Sequence, residues 1–145
     1  MPPAGYPRGA DRLAPTAFLA HTCTLLGAPE HAESLAEALA SQPATAVRVG
    51  PLIGWWGPVE HHLGALCRVL GRLEDAERHL RAALLLETRM EAQPFAARTK
   101  AELARVLTML GSVDADRFRS EARSEAEWLG AAGISAEIAA GADTG

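Results

Sequence analysis

The densest group of chemically capable side chains is Glu60-His61-His62. A carboxylate beside two imidazoles could bind a metal ion or move a proton. Adjacent residues on a helix point about 100° apart, however, so the three cannot chelate one ion together. The His-Glu-x-x-His spacing of a zinc site is also absent. Capping and surface roles are therefore expected for them. His79 shares a helix with the acid-before-base pair Glu74 and Arg78 and is expected on a solvated face. His21 precedes Cys23 by two residues. A Cys–His nucleophile needs both groups on one face and a third group to orient the base, and this spacing does not supply that. Cys23 and Cys67 lie in no metal-binding pattern and read as small buried thiols, with a disulfide or a reactive thiol as the alternative. No catalytic, cofactor or metal site follows from these residues. Trp55-Trp56, between Gly54 and Gly57, is the most unusual dipeptide. Its indoles either plug the joint between two helical units or form an aromatic platform for a partner.

Composition narrows the frame that must hold these groups. The chain has 145 residues, of which 48% are apolar and 22% charged, as in a soluble globular domain. Aromatic residues make up only 5%, so the core is built from Leu, Ala and Val, which suits close-packed helices better than strands. The net charge of -4 argues against a nucleic-acid surface. No apolar run reaches the ~20 residues of a membrane span. The stretch Leu13 to Ala28 follows Arg8 and Arg12 but contains His21 and threonines, so it reads as structure rather than a targeting signal. A cytoplasmic location is the expectation.

Along the chain, residues 1–11 hold prolines and glycines and read as a disordered lead-in. Helical spacing then runs through a domain spanning 12–131, and 132–145 read as a flexible tail. Leu19, Cys23 and Leu26 share one face of the first helix, with Pro15 in its first turn; Gly27 ends it. The second helix opens at Pro29 and buries Ala32, Leu35, Ala36 and Leu39. Gln42 to Trp56 is broken by Pro43, Gly50, Pro51 and Gly54, and no strand is expected there. Further helices are predicted over about 58–70, 73–90 and 94–110, and from about 114 onward. Glu74 with Arg78 and Glu77 with Arg81 make i,i+4 pairs on the fourth helix. The units pair as about 13–41, 57–90 and 94–130, giving six helices in three antiparallel pairs.

One pattern recurs in the first helix of each pair. It reads Leu19, Ala20, Cys23, Gly27, then Leu63, Gly64, Cys67, Gly71, then Leu103, Ala104, Leu107, Gly111. The small residue admits a neighbouring helix, and the Gly supplies the left-handed turn that ends the helix. Ala76, Leu80 and Ala83 follow Gly71 at the offsets at which Ala32, Ala36 and Leu39 follow Gly27. The third unit keeps this spacing only if Phe118 and Ala122 are shifted by two residues.

The pattern resembles the tetratricopeptide repeat, best in Gly57 to Arg89, although Glu60 and Thr88 stand where that family prefers Trp and Pro. Residues 13–131 also look like the C-terminal helical repeats of large bacterial regulators. The runs Gly57-Pro58-Val59-Glu60, Gly71-Arg72 through His79, and Pro94 to Thr99 before Ala104-Arg105-Val106-Leu107 carry that likeness. In such proteins an AAA-type or STAND-type ATPase accompanies the repeats, with a LuxR-type DNA-binding domain or a nucleotide cyclase. The chain has no Gly-x4-Gly-Lys-Ser/Thr loop, no cyclase carboxylate pair and no recognition helix, so the resemblance implies an arm without its engine.

The resemblance also implies an all-α, right-handed repeat stack whose first helices line a concave groove. The matching positions are Ala17 and His21, then His61 and Arg68, then Arg98 and Arg105. Basic groups there could clamp an acidic peptide. Alternatively they are ordinary arginines paired with Glu102 or Glu121. A non-enzymatic protein-interaction module is the leading expectation, working as the sensor arm of an ATPase or cyclase on the same or a companion chain. The alternatives are a free-standing adaptor for an acidic peptide and a small-ligand or enzymatic pocket. Dimerisation through an uncapped end is a further expectation.

Overall fold

The computed structural model describes residues 10–42, 46–49 and 54–142. Its elements are α1 (Ala10–Leu26), α2 (Pro29–Ala40), β1 (Ala46–Val49), β2 (Gly54–Pro58), α3 (Val59–Val69), α4 (Leu73–Arg89), α5 (Gln93–Met109), α6 (Ala115–Trp128) and α7 (Ala132–Ala142). The chain is predominantly helical. The expected lead-in, apart from Ala10 and Asp11, lies outside the described residues.

Glycine turns set the connections. Gly27, Gly71, Gly111 and Gly130 have φ between 60° and 73°, a region glycine enters without a Cβ clash. After α3, Arg72 N–H donates to the Cys67 carbonyl at 2.9 Å and Gly71 N–H to that of Arg68 at 3.0 Å. This doubly bonded reversal satisfies the last carbonyls of the helix. The chain therefore turns back sharply: Glu60 meets His79 while Gly64 meets Ala76 and Leu80 across α3 and α4. Contacts between α3 and α5 instead join residues 34 and 38 apart, Arg68 to Glu102 and His61 to Thr99, so these helices run in the same direction. The small-residue position is tight: a Cβ on Gly64 would lie 2.6 Å from Leu80 Cγ and 3.1 Å from the Ala76 carbonyl oxygen. Ala20 and Ala104, at the corresponding positions, are buried. Ala32, Leu39, Ala76, Leu80, Ala83, Phe118, Ala122 and Ala126 complete the seams.

Several sequence expectations are corrected. The segment after α2 is not wholly irregular. β1 and β2 form an antiparallel ribbon pairing Ala46 with Pro58 and Val49 with Gly54, with a bulge between Ala46 and Arg48. Val47 alternates into the core, fully buried. Residues 132–142, expected as part of a flexible tail, form α7, which buries Ile138 against Ala101, Ala122 and Ala126. There are thus seven helices among the described residues, not six. The buried face of α1 is Leu13, Ala17, Ala20 and Cys23, whereas Leu19 and Leu26 are 59% and 75% exposed. The first unit keeps the repeat's spacing but shows its Leu to solvent. Pro15 lies inside α1, because the helix begins at Ala10. Arg78 pairs with Asp75 at 2.8 Å rather than with Glu74; Glu77 and Arg81 do pair.

Candidate functional site

The four basic positions of the expected groove do converge, but on one another's partners. His61, Arg68, Arg98 and Arg105 line a narrow space of about 30 Å³, closed by His21, Glu102 and Glu137. Glu102, buried on α5, accepts from Arg68 through one oxygen and from Arg105 at 2.7 Å through the other. Arg105 also donates to the Glu137 main-chain carbonyl of α7. The arginines therefore already hold a carboxylate, and α7 lies beside them. Ala17 is fully buried and offers the space no surface.

Arg98 is not a groove cation in the expected sense. Its guanidinium lies 5.4 Å from the Trp56 ring centre and 5.9 Å from that of Phe95. Burial lowers its pKa, and its Nε has no hydrogen-bond partner. Trp56 in turn packs 4.8 Å from Phe18 and 6.1 Å from His21, and Trp55 packs 4.4 Å from Phe95. Both indole nitrogens are buried without partners. The half-buried tryptophans therefore pack into the joint from α1 to α5.

The histidines expected at the surface are interior. His61 is 6% and His62 2% exposed. Burial holds the His61 pKa well below its ordinary value and pushes that of His62 down to about 3, with Arg98 adding to both shifts. Both rings are neutral at pH 7. His61 Nδ1 lies 2.8 Å from the Thr99 hydroxyl, and that hydroxyl donates to Glu87 Oε1 at 2.9 Å. With Glu87 ionised, the single hydroxyl hydrogen is used on it, so Nδ1 of His61 carries the proton that Thr99 accepts. A buried His61–Thr99–Glu87 chain thus crosses from α3 through α5 to α4. Thr99 is completely buried and lines neither the narrow space nor the cleft that Glu87 borders, which keeps any substrate from its hydroxyl. Outside this chain, His79 is not solvated either, being held by Glu60.

Glu87 opens the second feature, a cleft of about 1030 Å³ across the carboxyl ends of α4 and α6. Its lining includes Glu87, Glu91, Gln93, Lys100, Glu125 and Trp128. Lys100 is held by Glu125 and, at 3.1 Å, by Glu121. Glu87 Oε2 and Glu125 Oε2 are buried with no donor. Burial raises the Glu87 pKa to about 7 against the lowering effects of Thr99 and Arg98. Trp128 stands 77% exposed at the rim. Sequence reasoning missed this cleft. One signal was present: Glu87 continues the apolar stripe Ala76, Leu80, Ala83, and a carboxylate on a buried stripe demands partners.

Cys23 and Cys67 are both buried free thiols, and burial raises the pKa of each. Among the described residues no group of three or more His, Cys, Asp or Glu side chains is gathered to hold a metal ion. Nor is any described helix long and apolar enough to cross a membrane. No family model, no curated protein and no solved structure matches the chain.

Proposed function

We propose that this chain is a non-catalytic protein-interaction module. In this reading it is a tetratricopeptide-like stack serving as the sensor or scaffold arm of a bacterial ATPase-type regulator or nucleotide cyclase, in the cytoplasm. The observation that carries the interaction reading is the open cleft across α4 and α6 with Trp128 exposed at its rim. Exposed Trp beside a wide concave surface is the composition of a binding hot spot. The repeat reading is supported by the recurrent glycine reversals, the tight Gly64 position and the parallel course of α3 and α5.

The non-catalytic part is supported by the placement of the reactive groups. The hydroxyl nearest an imidazole, Thr99, is fully buried and already donates to Glu87. Neither thiol is activated, since burial raises both pKa values. The alternative, an acidic peptide in the groove of His61, Arg68, Arg98 and Arg105, has their convergence in its favour. Against it, Glu102 already holds two of the cations.

The full chain, used as bait, tests the module. Capture of a specific ATPase or cyclase chain, lost in Trp128→Ala and kept in Val113→Ala, is the expected result; Val113 is 97% exposed and lies outside the cleft lining. Equal capture by both variants would remove the cleft from the account. A gene for such an ATPase beside this one would support the arm.

A further inference from the structure

We propose that the α4–α6 cleft is the docking site for a basic segment of a partner protein, one Lys or Arg side chain of which enters between Glu87 and Glu125. The proposal rests on the interaction-module reading and names the chemistry of the partner.

Glu87 is 1% exposed, lines the cleft and leaves Oε2 without a donor. Glu125 on the facing helix leaves its own Oε2 equally unpartnered. A buried carboxylate oxygen without a donor is costly, and a donor arriving from outside removes the cost. Both residues line one cleft, and two such oxygens just beneath its surface ask for a group with several N–H donors, which describes an ammonium or a guanidinium.

The wider electrostatics agree. Glu91 adds a carboxylate at the mouth, and Lys100 is the single cationic residue of the lining. α4 and α6 both end at the cleft, and helix carboxyl ends favour cations; the amino end of α5 at Gln93 is the opposing dipole. The groups around Glu87 are Arg98, Lys100 and Thr99 from α5, His61 reached through Thr99 from α3, Glu125 from α6 and Glu91 beyond its own helix. The indole face of Trp128 can cover the aliphatic stem of a Lys or stack on an Arg. The cleft is far larger than a bare ion needs, and among the described residues no metal-holding cluster is present. The chain's net charge of -4 favours approach by a basic segment.

Glu91 adds an independent sign. Its φ is 54°, the only positive value on a non-glycine among the described residues. The same reversal uses glycine after α1, α3, α5 and α6. A side chain is kept at this position despite the backbone cost, and it faces the cleft.

Fluorescein-labelled hexalysine amide, titrated with the full chain and followed by anisotropy at low salt, tests the proposal. Hexalysine is expected to bind and hexaglutamate not to. Glu87→Gln and Glu125→Gln should each weaken binding by about tenfold, while Glu33→Gln, on an exposed ion pair with Arg72, should change it less than about twofold. Glu125→Gln is the safer variant, being at a half-buried site. Equal weakening by all three variants would mean diffuse attraction and overturn the proposal. So would spermidine competing as well as hexalysine, which would make the site one for a free polyamine. If hexalysine fails to bind while Trp128→Ala still abolishes partner capture, the basic-segment assignment falls and the interaction module stands.

Discussion

The Thr99 hydroxyl donates to the Glu87 carboxylate at 2.9 Å, with Thr99 0% and Glu87 1% exposed. This bond joins the floor of the cleft to the neutral imidazole of His61. Thr99→Val keeps the shape and removes the bridge. It leaves His61 and Glu87 unsatisfied in the interior and should cost about 2–4 kcal/mol by urea denaturation. A loss below about 0.5 kcal/mol would mean that the chain contributes nothing.

Glu87 also sets a pH dependence with a definite sign. Its folded pKa of about 7 lies above the ordinary 4.5, so the folded state holds this proton more tightly. The contribution to stability is complete below pH 4.5 and is lost as pH rises to about 7. Relative to wild type, Glu87→Gln should therefore gain stability between pH 4.5 and 8, by roughly 2–3 kcal/mol. Urea melts of both proteins at pH 5 and pH 8 measure this. A constant difference between the curves would contradict it.

The two buried imidazoles act in the opposite direction. Their depressed pKa values mean that stability present above pH 6.5 is lost as pH falls, for His62 on the way to about 3. Ring nitrogen shifts in NMR spectra should report His62 neutral from pH 8 to 5, and His61 neutral and protonated at Nδ1 at pH 8, where Glu87 is ionised. A midpoint near 6.5 for either ring would show that it is not buried as described.

Two glycines should respond oppositely to alanine. At Gly64 the new Cβ meets Leu80 and the Ala76 carbonyl, and the α3–α4 seam cannot widen freely, so a loss of about 1–3 kcal/mol is expected. Gly133, inside α7, has nothing within 4 Å of the added Cβ, and the substitution should stabilise by about 0.5–1 kcal/mol. Thermal melts distinguish the two. Destabilisation at Gly133 would count against a helix over residues 132–142.

Glu91→Gly should relieve a left-handed residue at φ 54° and raise stability by about 1 kcal/mol. It should also weaken hexalysine binding, separating the cleft's affinity from the fold's stability. A stability loss would show that the Glu91 side chain holds the turn.

The helices were legible because apolar spacing and terminal glycines act locally: Leu63, Gly64, Cys67 and Gly71 specify α3, its seam and its end together. The β1–β2 ribbon was not, since strands of four and five residues flanked by Gly and Pro take their pairing from a partner segment. α7 was missed because Gly and Ala dominate it, and its order comes from Ile138 meeting Ala101, Ala122 and Ala126, which no local signal reports. For the site, the tetratricopeptide likeness placed His61, Arg68, Arg98 and Arg105 on one groove. It could not show that Arg98 lies against Trp56 or that Arg68 reaches Glu102, because those contacts join separate elements, whereas the Arg105–Glu102 pair, at i,i+3 on α5, was legible from spacing. The cleft needed α4, α5 and α6 together, so only Glu87 on its apolar stripe hinted at it.

The most direct measurement is an NMR titration of the ¹⁵N-labelled chain with hexalysine amide, following the three indole N–H signals. The account predicts that the Trp128 signal moves, together with the amides of Glu87, Glu91 and Glu125, while the buried indoles of Trp55 and Trp56 stay in place. Movement confined to Arg68, Glu102 and Arg105, or an unmoved Trp128 at saturation, would contradict it.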